Sequence, residues 1–82
     1  MKNFNEVIEL NGVEHKLYFI FLGNVAAPDV KIEGEGFRLS LKNSRNEFGR
    51  FAIDKIHQMP STTNQYLDEF LKKVNKIIEE RI

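Results

Sequence analysis

Leu17-Tyr18-Phe19-Ile20-Phe21-Leu22 is the stretch that decides the fold: six large apolar residues in succession, bounded by Lys16 and by Gly23-Asn24. In a strand successive side chains point to opposite faces, so Leu17, Phe19 and Phe21 share one face and Tyr18, Ile20 and Leu22 the other. Both faces of this strand therefore require cover. A chain of 82 residues with one long helix covers one sheet face, which leaves the other for a second molecule.

Working outward, Asn11-Gly12 predicts a two-residue type I′ hairpin, because both central positions of that turn need positive φ and these residues tolerate it. The turn pairs Leu10 with Val13, Ile8 with His15, Glu6 with Leu17 and Phe4 with Phe19. Phe4, Ile8, Leu10, Val13, Leu17 and Phe19 then share a face, and a slip of one residue would invert that pattern. Asn5, Val7, Glu9, Glu14, Lys16 and Tyr18 fall on the opposite side. A second hairpin is expected after the loop Val25 to Asp29. Gly34-Glu35 suits a type II′ turn that pairs Ile32 with Phe37 and Val30 with Leu39, with a single strand bulged at Gly34 or Gly36 as the alternative.

Residues 44–59 read two ways. As a strand, Phe51 and Ile53 alternate with Arg50, Ala52 and Asp54, returning through a turn at Asn43 to Asn46. As a helix, Ser44 and Glu47 have capping-box spacing, and Phe48, Phe51, Ala52, Ile56 and Met59 share a face. Gly49 disfavours the helix, and Phe and Ile favour the strand. Beyond Pro60 the pattern is clearer. Thr62 and Gln65 have capping-box spacing, and Tyr66, Leu67, Phe70, Leu71, Val74, Ile77 and Ile78 recur every three and four residues, predicting an amphipathic helix of roughly five turns. Asp68 with Lys72, and Glu69 with Lys73, are oriented to reinforce it. The stripe is wider than a coiled-coil seam and fits a face packed on a sheet.

A hydrophobic fraction of 41% with seven phenylalanines suffices for one core, so residues 1–82 are expected to form a single α+β domain. Its expected architecture is an antiparallel sheet of about four strands in two hairpins, with the C-terminal helix on one face. No cysteine is present, which excludes disulfides, zinc ribbons and a thiol nucleophile and suits a reducing compartment. The amino terminus lacks the pattern of a signal peptide, and six apolar residues fall far short of the ~18 that span a bilayer. A soluble cytoplasmic protein without membrane partners is the expectation.

The zero formal charge hides segregation. Residues 1–35 carry three lysines against six carboxylates, whereas residues 36–52 carry Arg38, Lys42, Arg45 and Arg50 against Glu47 alone. These cations interleave with Phe37, Phe48 and Phe51, a combination that grips phosphates and stacks bases. The match of Gly49 to Ile53 to an RNA-recognition consensus is nevertheless poor, and the phenylalanines are needed for the core.

Catalytic chemistry finds little support. His15 and His57 are isolated, no nucleophile-elbow motif marks Ser40, Ser44 or Ser61 beside His57 and Asp54, and Asp29, Glu33 and Glu35 lack calcium-loop spacing. Gly34-Glu35-Gly36 is followed by Leu39 where a dinucleotide loop needs its third glycine. No catalytic residue, metal ligand or cofactor is therefore assigned. The expectation is a non-catalytic module, subunit or inhibitor that binds a protein partner or itself through Val7, Lys16, Tyr18, Ile20 and Leu22. The alternative is a single-stranded nucleic-acid binder that uses Arg38, Lys42, Arg45 and Arg50.

Overall fold

The computed structural model describes residues 2–82. Five strands follow one another, β1 (Phe4–Leu10), β2 (Val13–Leu22), β3 (Asp29–Gly34), β4 (Phe37–Asn46) and β5 (Gly49–Gln58), then two helices, α1 (Ser61–Gln65) and α2 (Leu67–Arg81). The sheet order is β1-β2-β3-β4-β5, every neighbouring pair antiparallel. The α+β class is as expected, with five strands instead of about four. The additional strand comes from residues 44–59, which complete β4 and form β5 through a turn at Glu47-Phe48 instead of Asn43 to Asn46.

The first hairpin has the predicted register, from Leu10 opposite Val13 to Phe4 opposite Phe19, with φ of 50° at Asn11 and 78° at Gly12. Val13 nonetheless remains exposed at the hairpin tip. The next hairpin turns one residue later than expected. Glu35-Gly36 forms the loop, Gly36 takes the positive φ, and Gly34 pairs with Phe37, Ile32 with Leu39 and Val30 with Leu41. This displaces the pairing by two residues, so each side chain keeps its expected face.

One sheet face carries the core. Ile8, Leu10, Leu17, Phe19, Val30, Ile32, Phe37, Leu39, Leu41 and Phe51 are buried against Phe70, Leu71, Val74 and Ile78 of α2. Phe37 and Phe70 stack at 5.6 Å between centroids, and Phe4 stacks on Phe19 at 4.8 Å. The helical segment departs from a continuous five-turn helix: the chain breaks at Tyr66, where φ is −114° and ψ is 37°. The Thr62 and Gln65 capping box does not form. Instead the Pro60 carbonyl accepts from the Thr63 and Asn64 amides at 3.0 and 3.3 Å. Among the two charge pairs, Glu69 and Lys73 meet at 3.6 Å. No helix among the described residues is long and apolar enough to cross a membrane.

The helix fastens both edges of the sheet. At β5, the Phe51 amide donates to Asn75 Oδ1 at 2.7 Å, while Asn75 Nδ2 donates to the Phe51 carbonyl at 3.0 Å and to the Leu71 carbonyl at 2.9 Å. The Asn75 carboxamide thus pairs with Phe51 as a neighbouring strand would. At β1, Lys73 Nζ donates to the Glu9 carbonyl, and Arg81 meets Glu6 at 3.2 Å while lying 4.3 Å from the centre of the Phe4 ring. Unpaired strand edges invite addition of foreign strands, and these contacts occupy part of each edge.

Gly49 makes the Asn75 contact sterically feasible. Its φ is 141°, and a Cβ there would lie 2.7 to 2.8 Å from Asn75 side-chain atoms. Gly49→Ala is therefore expected to cost about 2 to 4 kcal/mol through combined backbone strain and overpacking. A thermal denaturation midpoint equal to that of the parent would show that β5 and α2 shift apart freely.

Candidate functional site

The face of the sheet away from α2 is open, and alternation along β1 and β2 places the predicted interface residues on it. Tyr18 is 38% exposed, Leu22 and Val7 are each 47% exposed, Lys16 is exposed, and Ile20 between them is half-buried. Cross-strand pairing puts Lys16 beside Val7 on β1, Tyr18 between Asn5 on β1 and Glu33 on β3, and Ile20 beside Lys31. The loop 23–28 does not fold over the Leu22 end: an Asx turn holds it, with Asn24 Oδ1 accepting from the Ala26 amide at 2.8 Å, and Val25 projects outward.

The basic residues divide. Arg38 and Lys42 of β4 are exposed on the open face, where Arg38 pairs with Gln58 and Lys42 with Ala52. Arg45 lies in the irregular end of β4, where the register shifts between Asn43 and Asn46, and does not join that row. Arg50 is half-buried, with its guanidinium carbon 5.9 Å from the centre of the Phe51 ring. The interleaved phenylalanines do not accompany the cations. Phe37 and Phe51 are buried and Phe48 packs against the same core, so they offer no stacking platform beside Arg38 and Lys42.

A further cation, Lys55, was not singled out by the sequence. Simple alternation assigns the outward position to Asp54, but β5 contains bulges at Asp54 and His57, so Lys55 pairs with Ser40 on the open face. Lys31 of β3 is engaged by Glu33 at 3.2 Å. Arg38, Lys42 and Lys55 have no ion-pair partner among the described residues. Tyr18, Glu33, Arg38 and Gln58 together line a shallow depression crossing β2 to β5.

The remaining polar candidates are scattered. His15 is half-buried and packs edge-on to Phe37 at 5.1 Å, a structural contact. His57 and Asp54 are exposed, and neither hydrogen-bonds to Ser40, Ser44 or Ser61 among the described residues. No group of three His, Asp or Glu side chains suited to a metal occurs among them. Asn75, 1% exposed, is, like Thr63, a buried polar residue that sequence reading missed. Its signal was available: it lies four residues after Leu71 and three before Ile78, a lone amide on an apolar stripe. No protein-family model, curated protein or solved structure matches the chain.

Proposed function

We propose that this chain is a non-catalytic protein-binding module, and that its contact surface is the open sheet face around Tyr18, Ile20 and Leu22, flanked by Val7 and Lys16. The observation that carries this reading is the asymmetry of the sheet. One face is closed by α2, whereas on the other Val7, Tyr18 and Leu22 stand exposed along two adjacent strands, with Ile20 among them. A contiguous apolar strip of this kind on a small domain is a characteristic of association surfaces.

Ile20→Lys and Tyr18→Glu each place a charge at the centre of the strip without touching the core. Both are expected to abolish self-association in sedimentation experiments, or capture of a protein partner, while the circular dichroism spectrum stays that of the parent. A parent chain that sediments as a monomer and retains no protein partner overturns the reading. So does association that both variants preserve.

A further inference from the structure

We infer that the occupant of the open face is an acidic amphipathic helix, seated along the strands with its apolar side on β2 and its carboxylates on β4 and β5. This inference rests on the reading of that face as a protein interface and adds the chemistry of the partner. Two parallel stripes of different character carry it. The apolar stripe is Tyr18, Ile20 and Leu22 on β2; the basic one is Arg38 and Lys42 on β4, with Lys55 beside Ser40 on β5.

The stripes are in register. Tyr18 and Arg38 both flank Glu33, and Ile20 and Ser40 both flank Lys31, so β3 separates them along their length. Two strand spacings set them about 9.6 Å apart, close to the roughly 10 to 12 Å diameter of an α-helix with its side chains. Each stripe spans five residues of its strand, four steps or about 13 Å, which corresponds to roughly two and a half helical turns. A helix lying over β3 therefore presents one flank to each stripe.

Charge selects the sign of the second flank. Arg38, Lys42 and Lys55 lack ion-pair partners among the described residues, whereas on β3 between the stripes Lys31 pairs with Glu33 at 3.2 Å and the Asp29 carboxylate, beside Leu22, accepts from the Asn43 amide at 3.2 Å. Carboxylates about seven or eight residues apart on one flank of the partner, roughly 10 to 12 Å along its axis, would meet Arg38 and Lys42, steering encounter and fixing orientation. Single-stranded nucleic acid is disfavoured as the occupant because the phenylalanines of β4 and β5 face the core, leaving Tyr18 as the aromatic residue on that face.

The test uses the full chain and two synthetic helical peptides with the same leucine stripe, one flanked by glutamates and the other by lysines, with oligothymidylate as a third probe. Fluorescence anisotropy is expected to show saturable binding of the glutamate peptide and none of the lysine peptide. Binding of the glutamate peptide should weaken at least tenfold in the double variant Arg38→Glu, Lys42→Glu and, separately, in Ile20→Lys. Equal affinity for both peptides, no binding of either, or loss in the double variant without loss in Ile20→Lys overturns the inference. Oligothymidylate that displaces the glutamate peptide and binds more tightly also overturns it. If the glutamate peptide fails but the parent self-associates and Ile20→Lys abolishes that association, the partner chemistry is wrong and the interface stands. If Ile20→Lys leaves association unchanged as well, both fall.

Discussion

Replacing Phe70 with alanine is expected to lower stability by about 3 to 5 kcal/mol, a large share of the roughly 5 to 10 kcal/mol available to a domain of this size. Phe70 is fully buried, stacks on Phe37 at 5.6 Å and stands where α2 closes the sheet. The loss combines the transfer free energy of the ring with the cavity left between helix and sheet. Urea denaturation measures it directly: an unchanged midpoint would mean that α2 is a free arm, and its apolar stripe would then belong to partner binding.

Asn75→Ala is expected to cost a further class of energy, about 2 to 4 kcal/mol, because the Phe51 amide and carbonyl both lose their partner in a region closed to water. Truncation at this site removes little apolar area, so hydrogen bonding dominates. Hydrogen exchange distinguishes this from a general loosening. The Phe51 amide should lose protection by a larger factor than amides at the centre of the sheet, such as Ile32. Uniform loss across the sheet, or no loss at Phe51, would show that the carboxamide does not secure the edge.

The legible parts of the fold are those in which two independent signals coincide. At the first hairpin, Asn11-Gly12 fixed a register that the alternation of Phe4, Ile8, Leu17 and Phe19 also demanded, and the observed pairs agree. The second hairpin offered glycines at 34 and 36. Turning one residue later moves the pairing by two and preserves both faces, so alternation alone does not choose between the turns. Residues 44–59 were ambiguous for a physical reason. In β5 the bulge at Asp54 puts Phe51, Ile53 and Ile56 opposite Asn43, Leu41 and Leu39, so apolar positions recur after two and then three residues, and a bulged strand imitates part of a helical period.

The open face was partly legible for the same reason. Tyr18, Ile20 and Leu22 follow from strict alternation on a regular strand, whereas Lys55 depends on the bulge and Asn75 on which element approaches the edge of β5. Long-range placement of this kind is tertiary information. Neither propensity nor periodicity encodes it locally.

The unbroken strand order β1 to β5 bears on how the chain finds its structure. Every strand pairs only with its neighbours in sequence, so the sheet is assembled through short loops, each with a small closure entropy. The contacts between α2 and β1 are different in kind: Arg81 reaches Glu6 across a separation of 75 residues. By itself that span would be a long closure for a flexible chain, but in the paired meander β1 and β5 belong to one body, so the contact adds a shorter effective loop than the sequence separation implies. The sheet is thus the scaffold that α2 spans, and the contact of Arg81 with Glu6 ties its first strand to its helix at little added closure entropy.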